Sequence, residues 1–183
     1  MTREEALKHV KANIKNKNLF KHMLATEAIM QGLAEKFDED VHKWGIAGLV
    51  HDIDYDETAD DPHRHSIVGA EILEELGYDE DIVYSVKVHN DAHGLERKTT
   101  MDKALYSSDP LTGLIVAAAL ISPDKKLSKI DEDFILRRFD EKAFARGANR
   151  EQIRACSEMG LELNDFISIG LNSMRNISKE LGL

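Results

Sequence analysis

Five side chains able to bind a metal or move a proton lie where the spacing of apolar residues marks dry helix faces: His22, His51, His65, His89 and Asp109. His22 is in register with Thr26, Ile29 and Leu33, so its ring points toward a core, and His51 shares a stripe with Val41, Trp44 and Gly48. His65 aligns with Val68, Gly69, Ile72 and Leu76, His89 with Ile82 and Val86, and Asp109 with Leu105, Thr112, Gly113 and Val116. A buried imidazole or carboxylate without a partner is costly, and a shared cation satisfies several of them together. Neutral nitrogen donors, anionic oxygen donors and a rigid helical frame are what a divalent ion requires. Asp52, beside His51, adds a second carboxylate at the head of an acidic stretch. Gly45, Gly48 and Gly69 let helix backbones approach closely enough for these short side chains to meet. Asp109 has another use open to it, because an Asp directly before Pro110 is suited to cap a helix starting there.

Positioning these groups takes a succession of helices. Thr2 with Glu5 has capping-box spacing and opens a first helix to about Ile14. Asn18 is set to cap a second through Phe37, and a third runs from about Asp40 to Val50. The segment Ile53 to Pro62, IDYDETADDP, is acidic and aperiodic and reads as a loop bordering a site. A fourth helix, carrying His65, ends at Leu76 before Gly77, and a fifth runs from Asp79 to about His89, where NDAHGLERK breaks it. Thr99 or Thr100 starts a sixth, which Pro110 must kink or divide because proline has no amide hydrogen. A seventh spans about Glu132 to Ala145, and Asn149 with Gln152 gives a second capping-box start for a long C-terminal helix ending near Leu181. The expectation is an all-α fold: one compact bundle of about seven to eight helices over residues 1–183, with the motifs at about 20–120 and a helical extension at about 130–181.

Composition agrees with that reading and limits function. With 42% hydrophobic residues in 183, the chain can bury a core without staples, and three prolines with 6% aromatics favour helices over a sandwich or barrel. A net charge of -10, from 24 basic and 34 acidic residues, repels a polyphosphate backbone, so polynucleotides are not expected as partners. Small anions remain compatible with it where a bound cation reverses the local field. The single cysteine, Cys156, and an N-terminus without an apolar run fit a reducing cytoplasm. The most apolar stretch, Leu111 to Ser122, is about half of the roughly 20 residues a bilayer span requires, so it reads as a core helix and no membrane is expected.

Over about residues 20–120, the succession His22, AGLVHDID with His51 and Asp52, HSIVGAEIL with His65, VKVHND with His89, and SSDPL with Asp109 resembles the HD-domain metal-dependent phosphohydrolases. The resemblance implies that His22, His51, Asp52 and Asp109 hold one metal, and that His65 and His89 serve a second one bridged by Asp52. Dinuclear members often carry a histidine where this chain has Asn90. The implied cofactor is one or two divalent ions, with Fe, Mn, Mg, Co and Ni as candidates. The implied chemistry is hydrolysis of a phosphate ester or anhydride by metal-activated water, with a small nucleotide or related phosphomonoester as substrate. Asp52 is the central residue of this reading, and Asp54 or His93 would handle the leaving-group proton. A di-iron oxygenase on the same ligand set and a noncatalytic metal- or nucleotide-binding regulatory module are the alternatives.

Other candidates have plainer readings. His63 belongs to the acidic loop, and His9 and His42 suit surface or packing positions. Lys87, Arg97 and Lys98 flank the histidine-bearing turn, where phosphate contact competes with ordinary solvated charge, and Arg137 and Arg138 are treated alike. Asp54 is open to orienting a ligand, accepting a proton or standing in solvent. Cys156 is read as a packing residue, and the long C-terminal helix offers a face for a homodimer.

Overall fold

Reciprocal caps decide where the helices begin. In the computed structural model, which describes residues 1–141 and 143–183, Thr2 accepts the Glu5 amide while the Glu5 carboxylate accepts the Thr2 amide, opening α1 (Arg3–Asn13). The second cap is Asn16 and not Asn18: its side-chain oxygen takes the amides of Asn18 and Leu19 and starts α2 (Lys17–Phe37). Asp40 caps α3 (Val41–Val50), and the acidic stretch expected as loop holds one short turn, α4 (Tyr55–Thr58). Next come α5 (Ile67–Glu75), stopped by Gly77 at φ 76°, and α6 (Glu80–Val88). Thr99 and Asp102 form a capping box for α7 (Thr100–Ile121). The remaining α-helices are α8 (Glu132–Phe139), α9 (Arg150–Arg154), α10 (Leu163–Asn176) and α11 (Ser178–Leu181). The fold is all-α; eight of these segments have eight or more residues, and α4, α9 and α11 are single turns.

Helix α2 is the hub. It packs on α3, α7 and α10, and Met23, Ile29, Leu33, Leu49, Leu105, Leu111 and Phe166 are fully buried around it. Each such side chain taken from water contributes roughly 1.5–3 kcal/mol. The α2–α3 approach is close because position 48 lacks a side chain: a Cβ on Gly48 would stand 2.8 Å from the Thr26 carbonyl oxygen and 2.9 Å from the Glu27 backbone. Helix α7 has 22 residues and enough apolar character to cross a bilayer by length and composition, yet its apolar residues are largely buried within this fold.

Several expectations change. Pro110 sits inside α7 without dividing it. The carbonyl its ring leaves unpaired is that of Tyr106, and the Gln152 side-chain amide donates to it at 3.0 Å. Gln152 therefore does not return to a capping box, and Asn149 alone caps α9 by accepting from the amides of Glu151 and Gln152. The long C-terminal helix is broken as well: a 3-10 stretch, Ala155–Met159, ends at Gly160 with φ 74°, and α10 starts afresh and packs on α2 and α8. The seventh helix stops at Phe139, short of the expected Ala145, and Lys142 lies outside the described residues. Finally, His65 is not on a helix face; it lies in the turn before α5.

Candidate metal centre

His22 comes from the second turn of α2, His51 and His89 from the residues that end α3 and α6, His65 from the turn before α5, and Asp109 from the middle of α7. Each imidazole is fixed through Nδ1. The Nδ1–H of His51 donates to the Gly48 carbonyl at 2.9 Å, and that of His89 to the Val86 carbonyl at 2.5 Å. His65 donates from Nδ1 to Asp54 Oδ1 at 3.2 Å. Thr112 gives its hydroxyl proton to the Asp109 carbonyl at 2.8 Å, so its oxygen accepts from His22 Nδ1 at 2.8 Å. With every Nδ1 protonated, the neutral rings present only lone pairs at Nε2.

Those lone pairs converge on Asp52. Its Oδ2 is 3.5 Å from Nε2 of both His22 and His51, and its Oδ1 is 3.5 Å from Nε2 of both His65 and His89. The carboxylate thus divides the cluster into two lobes. On the first side, Asp109 Oδ1 lies 3.1 Å from His22 Nε2 and 3.9 Å from His51 Nε2, and the two imidazole nitrogens are 3.1 Å apart. Ligand atoms of His22, His51 and Asp109 all fall within 4.8 Å of one another, as do those of His51, Asp52 and His89. In the second grouping His51 stands where the sequence reading had His65. The geometry makes His51 a neighbour of both lobes and leaves His65 at the edge, its Nε2 facing Asp52 and its Nδ1 held by Asp54.

Bare acceptors facing bare acceptors repel, and a buried group in that state needs a cation. His89 Nε2 is fully shielded from solvent and has no hydrogen-bond partner among the described residues. The donor set, imidazole nitrogens with two carboxylates, is one that holds a divalent ion, and each ring is oriented through its far nitrogen as metal-ligating histidines are. Without a metal, protons take over. Burial works against the charge on His51, but Asp52 and Asp109 overcome it and push its pKa up to about 9. Burial likewise opposes ionisation of Asp109 and Asp52, and the surrounding imidazoles nevertheless hold both carboxyls well below the usual range.

Asp54 is buried rather than solvated. Its carboxylate accepts from His65 Nδ1, from the Ser66 amide at 2.8 Å and from the Thr58 hydroxyl at 3.3 Å. Ser66 adopts a left-handed backbone, φ 67°, which turns its amide toward Asp54. A Cβ on Gly69 would meet Asp54 Oδ1 at 3.0 Å, so the carboxylate rests on a helix turn kept bare. Asp54 orients His65. His93 contacts the backbone of the cluster and not its side chains, donating from Nε2 to the His65 carbonyl at 2.8 Å. Asn90 fills the place of a further histidine and ties loops together, donating to the carbonyls of Pro62 and His65.

The other histidines lie elsewhere: His9 bonds Tyr78, His42 bonds the Met1 carbonyl, and His63 is exposed. Arg97 pairs with Asp91 and covers the Tyr106 ring, Lys98 sits over Tyr84, and Arg138 pairs with Glu141. Cys156 is buried and its thiol is pushed up to about 11 by that burial. The sequence reading missed Thr112 as the acceptor that orients His22, although it lies three residues from Asp109 on the same stripe. It also missed Tyr55, whose ring stands edge-on to His65 at 4.9 Å on the open side of the cluster.

Comparison with known proteins adds a family to this geometry. The HD domain family model matches residues 19–143, a span that contains all six converging side chains. The chain belongs to the HD domain family. That superfamily is one of metal-dependent hydrolases. This HD chain is 26% identical over 174 residues to an uncharacterized protein of Methanocaldococcus jannaschii, covering 90% of this chain and 98% of that one. It is also 26% identical over 137 residues to ribonuclease Y of Lawsonia intracellularis and 28% identical over 138 residues to ribonuclease Y of Thermosipho melanesiensis, each match covering 73% of this chain. The HD chain spans only 26% of the length of either ribonuclease. No solved structure gives a significant match.

Proposed function

We propose that this HD domain protein hydrolyses a small phosphate ester, a nucleotide or related phosphomonoester, with one or two divalent cations held by the His–Asp cluster. The observation that carries the reading is the convergence of four imidazole Nε2 atoms on the two oxygens of Asp52, with His89 Nε2 buried and without a hydrogen-bond partner among the described residues. His22, His51, Asp52 and Asp109 would hold the first ion, and His65 and His89 with the other oxygen of Asp52 the second. A divalent ion there lowers the pKa of water toward neutrality and polarises a phosphoryl oxygen.

The side chains have distinct tasks. Asp52 addresses both lobes and fixes their spacing. Asp54 locks the His65 tautomer and leaves Nε2 free to ligate. Since Asp54 is fully engaged, handling of the leaving-group proton would fall to His93, whose Nε2–H is committed to the His65 carbonyl and whose Nδ1 would first take up the proton lost by the attacking water and then pass it on. Similarity to ribonuclease Y favours a second reading, cleavage of an RNA phosphodiester, against which the net charge of -10 weighs.

The test is metal analysis of gently purified protein. It is followed by turnover assays with Mn, Fe, Co, Ni or Mg on nucleoside monophosphates, other phosphomonoesters and short RNA. Asp52→Ala is expected to lose both metal and turnover. A metal-replete protein that hydrolyses none of these overturns the proposal. In that event oxygen consumption by the iron form would indicate an oxygenase, and tight nucleotide binding alone a regulatory module.

A further inference from the structure

Helix α7 carries one continuous stripe from the cluster outward: Asp109, Gly113, Val116 and Leu120 recur at helical spacing. The part of the stripe beyond Asp109 lines a cavity of about 470 Å³ between α2, α7 and residues 181–183. Its wall on α2 consists of Asn18, Lys21, His22 and Ala25. His22 therefore belongs to both the cavity and the cluster, and the cavity begins at Thr112, three residues or about 4.5 Å along the axis from Asp109.

Two further features mark this space as a ligand site rather than a packing gap. A Cβ built on Gly113 has nothing within 4 Å, so an exposed glycine in mid-helix faces open space and leaves that wall of the cavity bare. The ammonium of Lys21 is held at the wall by its bond to the Leu181 carbonyl at 2.7 Å, a positive charge in an otherwise mostly aliphatic lining of a strongly acidic protein. A volume of this size is in the range of small-molecule sites. Apolar walls, one fixed cation and direct continuity with a cluster suited to phosphoryl oxygens suit a phosphate ester lying lengthwise.

We infer that this cavity receives the organic group, of nucleoside size, of the phosphate ester whose phosphoryl end meets the His–Asp cluster. The inference rests on the hydrolase reading for the phosphoryl end only. Gly113 and Lys21 thereby become specificity residues: Gly113 leaves room for the group, and Lys21 favours anionic ligands along the entry.

The experiment uses Gly113→Leu, whose Cβ meets nothing within 4 Å, with metal content and thermal melting measured alongside to establish that the fold is kept. Saturation-transfer NMR with adenosine on the metal-free protein is expected to show base-proton signals in the parent and a loss of at least about fivefold in the variant. Where turnover is measurable, the ratio of kcat/KM for adenosine 5′-monophosphate to that for methyl phosphate is expected to fall about tenfold. Equal signals in both proteins, no signal in the parent, or an unchanged ratio with intact metal content would each overturn the inference. Base-proton signals that Gly113→Leu removes, in a protein without phosphatase turnover, would support the cavity and refute the hydrolase reading instead.

Discussion

Gly48→Ala tests whether the meeting of α2 and α3 is what brings the first lobe together. The added methyl would sit 2.8 Å from the Thr26 carbonyl oxygen and 2.9 Å from the Cα and N of Glu27, well inside ordinary contact distance. Its neighbours are backbone, so no rotamer change relieves the clash and the two helices must separate. Overpacking of this kind costs up to about 3 kcal/mol, and the better helix propensity of Ala returns about 1 kcal/mol. The net loss is about 2 kcal/mol, which in a domain of this size lowers Tm by about 4–8 °C. The same shift moves His51, whose Nδ1 bonds the Gly48 carbonyl, away from His22, now 3.1 Å distant between Nε2 atoms. Isothermal titration with Mn or Co is therefore expected to show affinity weakened about tenfold or more. The control is Gly113→Ala on α7, where nothing lies within 4 Å and a gain of about 1 kcal/mol is expected. A Gly48→Ala protein that melts no lower than the parent and binds metal equally well would refute the reasoning.

Three more outcomes follow from the same geometry. Asp54→Asn is expected to retain the fold but weaken metal binding at the His65 side by about 10–100-fold, seen as loss of one of two binding events or of about half the metal by elemental analysis, and unchanged stoichiometry would count against its orienting role. In the metal-free protein His51 is raised from 6.5 to about 9, so its contribution to stability is complete below pH 6.5 and is lost as pH rises through 9, whereas Asp52 and Asp109, held below 3.8, contribute above pH 3.8 and lose that contribution on acidification. Chemical denaturation should accordingly find the metal-free form most stable between about pH 4 and 6.5, and a profile that rises from pH 6.5 to 9 would contradict this. Chelation at pH 7.5 should lower Tm, and reloading should release protons detectable in buffers of differing ionisation enthalpy, because the metal displaces the proton on His51.

Much of the site was legible because burial of a polar group leaves a trace in helical spacing. His22 and Asp109 stand on apolar stripes, and His51 and His89 end theirs, so period alone pointed each toward the interior. The approach failed where position depends on a turn. His65 owes its direction to the left-handed Ser66 and the buried Asp54, and in IDYDETADDP one buried carboxylate looks like its solvated neighbours. Asp109 illustrates the opposite case, since a cap and a ligand share the same Asp-Pro spelling. What decides against the cap is that α7 runs through Pro110, with Gln152 on the freed Tyr106 carbonyl, and that the Asp109 carboxylate faces His22 and His51. The broken C-terminal helix turned on one glycine, Gly160, which the periodic residues around it concealed.

The amide of Gln152 has a reach beyond repairing one carbonyl. The segment containing α9 lies beyond the family match, which ends at residue 143, yet its Gln152 amide braces the turn of α7 that leads into Asp109. Were α9 to swing away, Tyr106 would be left with a bare acceptor and the helix would be free to bend three residues before that carboxylate. An ion held by this cluster would therefore be answerable to a remote strut, and whatever grips or displaces the C-terminal third would gain leverage over the cluster without touching it.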